Sequence, residues 1–221
     1  ICASRSLEAN EKFAKGLTDK GYDAHAMTVD ITDADSIQRL GEQVHERFGD
    51  VDVLVNSAVV ARGGSFEEQT PEYWEFSASG NMVGLFAMSK AFLPAMAARG
   101  SGSIINISSI YGVVANDPSL YEGTDMKQQP DYTFVKAGMI NFTRYLANYY
   151  GKQGVRANCI CPGGYYNDQP GPFVDSYKKR VPVGRMLEND DIKGAVVFLA
   201  SDASAYVTGT TLMVDGGFTT V

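Results

Sequence analysis

Tyr132 and Lys136 bound a segment that reads Tyr-Thr-Phe-Val-Lys. In a helix, a spacing of four puts both side chains on one face. An ammonium beside a phenol favours the phenolate and lowers the tyrosine pKa from about 10 toward neutrality. Tyr132 then has the chemistry of a general acid or base that passes a proton to or from a substrate oxygen. A buried tyrosine beside a solvated lysine would give the same two letters, so the neighbours carry weight. Segment 103–109 reads Ser-Ile-Ile-Asn-Ile-Ser-Ser, a buried strand that delivers the Ser109 hydroxyl to its end. Asn81 lies in an otherwise apolar helical stretch, where an amide needs a water or a backbone group as partner. Asn56, Ser57 and Ala58 end another strand-like run. Their short side chains let a flat ring approach the backbone.

These residues are far apart in the chain, so the elements between them must bring them together. Strand-like apolar runs occupy residues 1–3, 24–29, 51–55, 103–107, 155–160 and 211–214. Amphipathic stretches separate them. In residues 32–48, Ile37, Leu40, Val44 and Phe48 fall on one helical stripe, with Thr32 and Asp35 reading as its N-cap. Leu7, Phe13 and Leu17 form a similar stripe after Ser6. Residues 71–99 and 132–150 are longer and apolar on more than one face, as expected of helices that pack on a sheet and on a second subunit. Strand–helix–strand alternation predicts a doubly wound, Rossmann-like parallel α/β sheet in one domain covering residues 1–221. Ligands of such sheets bind beyond the carboxyl ends of the strands. The residues there are Ser4-Arg5, Asp30-Ile31, Asn56-Ser57-Ala58, Ser108-Ser109 and Pro162-Gly163-Gly164.

Composition narrows the partners. The 221 residues are 44% apolar and 20% charged, which suits a globular domain and excludes a disordered or collagenous one. A formal charge of −7 argues against nucleic acid and against an anionic membrane surface. Cys2, Cys159 and Cys161 form no CxxC and read as reduced thiols of a cytoplasmic protein. His25 and His45 are too isolated to predict a metal site. No uninterrupted apolar run approaches the roughly 18 residues of a membrane span.

Taken in order, Asp30-Ile31, Asn56-Ser57-Ala58, Asn81, Ser109/Tyr132/Lys136, Pro162-Gly163 and Val214-Asp215-Gly216-Gly217 resemble the short-chain dehydrogenase/reductase family over essentially the whole chain. The resemblance implies an enzyme that uses NAD or NADP to interconvert a carbonyl and a secondary alcohol on a small molecule. It implies Tyr132 as proton donor or acceptor and Ser109, rather than Ser108, as the group that orients the reacting oxygen. Lys136 would lower the Tyr132 pKa and hold the nicotinamide ribose, and Asn81 would anchor a water leading to Lys136. Asp30 and Ile31 would contact the adenine, Asn56 and Ala58 the cofactor backbone, and Pro162 and Gly163 the nicotinamide. Dimers or tetramers through the two long helices are also implied.

The departures from the family pattern set further expectations. Its opening Gly-rich turn has no match, so the sequence reads as starting inside the second strand. Without the first strand, the second and fourth lack a neighbour, and residues 1–221 alone are expected to bind cofactor poorly. Ser4 and Arg5 stand where an acid would select NAD; a hydroxyl and a guanidinium suit the 2′-phosphate of NADP, while Arg5 could lie over the adenine of either. Asn167 replaces a threonine that holds the nicotinamide amide. An extra loop, residues 115–131, lies between Ser109 and Tyr132 and carries Asp117, Tyr121, Glu122, Asp125 and Lys127. With Tyr111, Tyr165 and Tyr166 it suggests a pocket for a sugar or sugar acid. A non-catalytic NAD(P)-binding protein and an inactive fragment are the alternatives.

Overall fold

The computed structural model describes residues 1–220. Six strands are all parallel, so each connection is a crossover, and helices supply most of them. Strand β1 (Cys2–Ser4) pairs with β2 (Ala26–Thr28), Ala3 opposite Met27. A second sheet runs in the order β3 (Val53–Asn56), β4 (Gly102–Ile107), β5 (Val155–Pro162) and β6 (Thr211–Val214). The expected doubly wound α/β arrangement is present, but in two pieces. The two strands expected to lack a neighbour, β1 and β3, face one slot of about 580 Å³ lined by Ala3, Val29, Leu54 and Val55 among others.

Helices α1 (Leu7–Thr18) and α2 (Ala34–Phe48) follow β1 and β2. In α2 the stripe of Ile37, Leu40 and Val44 is buried as its periodicity predicts, although Phe48 is partly exposed. Its N-cap is Asp33, whose carboxylate accepts from Asp35 N; Thr32 instead donates twice to Asp30. The α1 stripe is not as read. Phe13 is 62% exposed and Leu7 is also in solvent, while Asn10 and Ala14 are buried. The reason is polar. Asn10 Nδ2 donates to the carbonyls of Ser4 and Met27, which fixes that face of α1 against β1 and β2.

Segment Pro71–Arg99 is not one regular helix. It consists of α3 (Pro71–Ala78), a π-helical turn (Ser79–Gly84) and α4 (Leu85–Arg99). Two glycines flank Asn81 where the segment meets its neighbours. A Cβ on Gly84 would lie 2.2 Å from the Ile31 carbonyl oxygen, and one on Gly80 would lie 2.5 Å from Val60. By length and composition this segment could cross a membrane, contrary to the sequence expectation. Its packing is that of a core helix, with Ser89, Phe92, Leu93 and Met96 buried.

Alternation along β4 builds the core on both faces of the sheet. Ile104 belongs to the core cluster that includes Leu40, Val44, Met96 and Leu146, while Ile105 belongs to the one with Ile160 and Leu199. Helix α5 (Pro130–Tyr150) covers the first face. Two helices that the periodicity did not reveal complete the fold, α6 (Gly171–Arg180) and α7 (Lys193–Ala200). Cys159 and Cys161 are fully buried and unpaired.

Because Gly84 abuts a backbone carbonyl rather than a mobile side chain, relief requires moving the π-turn or the β2 exit. Gly84→Ala is therefore expected to lower stability by about 1–3 kcal/mol, read as a lower denaturation midpoint.

Candidate active site

Ser108 and Ser109 end β4 but face different surroundings. Ser108 Oγ donates to the Lys136 carbonyl at 2.8 Å and is consumed in holding α5. Ser109 turns outward in an extended conformation, and its Oγ accepts from Tyr111 N at 3.1 Å. Ser109 is close enough to the Tyr132 phenol to oppose the rise in its pKa. Tyr132 lies in the first turn of α5, after Pro130 and Asp131. One turn on, Lys136 is buried, its Nζ donating to the Ile107 carbonyl at 2.8 Å and lying 5.5 Å from the Tyr132 ring centroid. The chain thus brings Ser109, Tyr132 and Lys136 together, while the Ser108 hydroxyl is committed to the α5 backbone.

The electrostatics differ from the sequence expectation. The Tyr132 pKa is raised, first by burial, with Ser109 opposing. Lys136 is brought down to about 8 by burial. Its ammonium is pointed at a carbonyl, so loss of water outweighs the through-space effect on the phenol. Burial thus favours the protonated phenol of Tyr132.

Asn81 is buried, but its side chain is spent locally. Its Oδ1 accepts from Val60 N at 3.0 Å and its Nδ2 donates to Val60 O at 2.8 Å, closing the loop after β3. No side-chain bond reaches Lys136; the π-turn as a whole packs on α5.

The expected cofactor residues lie at strand ends. Asp30 Oδ1 accepts from Thr32 N and Oγ1, which, with Arg5 nearby, keeps its carboxyl below the ordinary range. Asn56 is held by Asn106 at 2.9 Å. Ile31, Asn56, Ala58 and Asn81 line the rim end of the slot between the sheets, which descends to Phe48 and Asp52 at the opposite edge. Gly163 follows Pro162 and hydrogen-bonds Val214 O; a Cβ there would meet the Tyr177 hydroxyl at 2.9 Å. Arg5 is exposed, whereas the Ser4 hydroxyl is donated to Asn10 Oδ1 at 2.7 Å and so is not free to donate to a phosphate. Asn167 is exposed on a loop held by Gln169. A negatively charged, ring-bearing ligand is compatible with this rim: small side chains flank the slot, and Arg5 supplies a cation.

Of the tyrosines expected to line a pocket, Tyr111 and Tyr121 join the site, their hydroxyls 3.1 Å apart. Tyr165 bonds Asn189 and Tyr166 is exposed. The acids of the loop do not face the site as expected. Asp117 pairs with Arg180 at 2.9 Å and caps Ser119. Two groups were not foreseen. Asn116 bonds Tyr121, and Gln69 bonds Asp131, tying the loop before α3 to the start of α5. Gln69 and Asp131 are 62 residues apart, and no local pattern announces the contact.

A parallel α/β sheet whose strand-end rim gathers a serine, a tyrosine and a buried lysine defines a nucleotide-dependent oxidoreductase class. The family model described as enoyl-(acyl carrier protein) reductase matches residues 1–219, and the chain belongs to the short-chain dehydrogenase/reductase family of oxidoreductases. The 3-oxoacyl-(acyl-carrier-protein) reductase of Haemophilus influenzae is 35% identical over 221 residues, covering 98% of this chain and 86% of the relative. The D-threitol dehydrogenase of Mycolicibacterium smegmatis is 37% identical over 195 residues, 86% of this chain and 71% of the relative. A gluconate 5-dehydrogenase from Burkholderia cenocepacia, solved with NADP and tartrate, superposes with a TM-score of 0.90 at 29% identity, covering 100% of this chain and 85% of that one.

The buried lysine gives a stability prediction. Its pKa of about 8 lies below the ordinary 10.5, so between those values the unfolded chain holds the proton more tightly and stability rises with pH. Below pH 8 both states are protonated, and the full cost, of order 3 kcal/mol, is present. Lys136→Met should therefore raise the urea midpoint at pH 7, with the gain shrinking toward pH 10.5. An equal gain at both pH values would contradict this account.

Proposed function

We propose that the protein is an NADP(H)-preferring oxidoreductase, with NAD(H) as the second choice, that interconverts a carbonyl and a secondary alcohol on a polyhydroxylated small molecule such as a sugar or sugar acid. The observation that carries the reaction type is the convergence of Ser109, at the end of β4, and Tyr132, in the first turn of α5, with the buried Lys136 ammonium 5.5 Å from the Tyr132 ring centroid. A bound nicotinamide would supply the hydride chemistry. Ser109 holds the substrate oxygen, and Tyr132 gives it a proton in reduction or takes one in oxidation. Lys136 sits beneath as the cation that a ribose hydroxyl would meet, and the π-turn around Asn81 closes that side of the site.

Asp30 and Ile31 would flank an adenine, Asn56 and Ala58 the cofactor backbone, and Pro162, Gly163 and Asn167 the nicotinamide end. Arg5, exposed beyond β1, supports the preference for a 2′-phosphate. Ser4 adds less, since its proton is committed to Asn10. The two relatives named for threitol and gluconate support the polyhydroxylated substrate. The acyl-carrier-protein reductase of similar identity supports a second reading, reduction of a 3-oxoacyl thioester. A second copy of the chain would cover exposed Phe86 on α4 and Tyr145 and Tyr149 on α5, giving a dimer or tetramer.

Two measurements on the natural polypeptide test these roles. Tyr132→Phe should cut kcat by about two to four orders of magnitude while the cofactor Kd changes far less; retention of most activity would remove Tyr132 from the proton step. Arg5→Ala should shift the KM ratio of NADP to NAD toward NAD, and an unchanged ratio would reassign Arg5 to the adenine.

A further inference from the structure

The loop between Ser109 and Tyr132 is clamped at both ends. On one side Asp117 pairs with Arg180 of α6, Leu120 is buried, and the Tyr121 ring lies 5.3 Å from Phe173. On the other side, Lys127 pairs with Glu68 at 3.5 Å, and Asp131 bonds Gln69. A loop so fastened delivers its side chains to fixed positions. One of them is the Tyr121 hydroxyl, which accepts from Asn116 Nδ2 at 3.2 Å and lies 3.1 Å from the Tyr111 hydroxyl. Tyr111 N in turn donates to Ser109 Oγ. Asn116 and Tyr121 also line a cavity of about 610 Å³ bounded by Phe66, Gln129 and Thr133.

The hydrogen-bond inventory of this cluster is unbalanced. The two phenols hold two O–H protons but share one bond, so one proton is left to donate. Asn116 retains a second N–H and its carbonyl oxygen beyond the bond to Tyr121. Asn116 thus offers donor and acceptor together in the cavity, which Pro130 and Thr133, on either side of Tyr132 in the first turn of α5, also line. A hydroxyl group both donates and accepts and matches that pair; an acyl chain matches neither member.

We propose that Asn116 and Tyr121, on the clamped loop between Ser109 and Tyr132 and lining the cavity beside the first turn of α5, form a polar subsite that binds the hydroxyls following the reacting carbon of a polyhydroxylated substrate and so determines substrate choice. This rests on the reading of Ser109 and Tyr132 as the reacting centre. Asn116 and Tyr121 are specificity residues; they hold the neighbouring hydroxyls while Ser109 and Tyr132 handle the reacting oxygen. A site built to bond a hydroxyl rejects the analogue that lacks it, because its own polar groups are then left unpaired.

The test is steady-state oxidation by the natural polypeptide of D-threitol, D-gluconate and 2-butanol, the last lacking neighbouring hydroxyls. The parent should prefer one of the polyhydroxylated substrates over 2-butanol. In Tyr121→Phe and Asn116→Leu, the ratio of kcat/KM for that substrate to kcat/KM for 2-butanol should fall by about tenfold or more, chiefly through KM. Tyr121→Phe keeps the ring that packs on Phe173, so it reports on the hydroxyl even if Asn116→Leu folds badly. A ratio unchanged in Tyr121→Phe, or a parent that prefers 2-butanol, overturns the subsite while leaving the oxidoreductase reading intact. No turnover of any of the three alcohols, nor of a 3-oxoacyl thioester in the reverse direction, overturns both.

Discussion

The hydrogen bond from the Lys136 ammonium to the Ile107 carbonyl fastens the first turns of α5 to the end of β4. Ser108 repeats the fastening in the opposite sense, from strand hydroxyl to helix carbonyl. Gly112 completes the seam, since a Cβ there would sit 2.8 Å from the Lys136 carbonyl oxygen. Three contacts within one helical turn therefore fix where Tyr132 stands relative to Ser109. The seam is built from backbone carbonyls and so does not consume the Ser109 and Tyr132 hydroxyls.

Around the seam, the buried asparagines are paired, which keeps the rim rigid where it must meet a ligand. Asn56 bonds Asn106, and Asn106 bonds Thr143 of α5, so β3, β4 and the catalytic helix share one chain of hydrogen bonds through the core. The Asn81 amide closes the loop after β3 in the same way, gripping both main-chain groups of Val60. The slot between β1 and β3 breaks this continuity on one side. There, Ile31 is held by the close approach of Gly84, not by a strand partner.

Where side-chain period and burial agreed, the fold was legible in the sequence. Ile37, Leu40 and Val44 identified α2 because an amphipathic helix on a sheet needs that stripe. The same reasoning failed for α1, where a buried asparagine with three polar contacts outweighs two aromatic or aliphatic side chains left in solvent. Helices α6 and α7 are short, and Pro170, Gly171 and Pro172 make the approach to α6 read as a turn. The break of 71–99 into two helices depends on Gly80 and Gly84 meeting Val60 and Ile31, contacts that no local window contains. Within the site, Ser109, Tyr132 and Lys136 were visible as a spaced set. Asn116 was not, because its significance lies in a partner hydroxyl that in turn depends on how the loop docks on α6.

Burial acts on Tyr132 and Lys136 in opposite directions, and the combination decides what the pair can do. It raises the phenol and lowers the ammonium, because in both cases the charged form loses water. At neutral pH the phenol keeps its proton, and the ammonium, with a pKa of about 8, is still mostly charged. On the proposed reading of Tyr132 as the proton-transfer group, this is the state that reduction of a carbonyl would require. Acting as a base requires the phenol to ionise, and only an added positive charge or a new hydrogen-bond donor at its oxygen can bring that about in so dry a place. Ser109 already opposes the rise from beside the phenol, and hydrogen bonds to its oxygen would do the same. Substrate and cofactor that supply such bonds would shift the balance further, so the direction of the reaction is tied to what occupies the site and not to Lys136 alone.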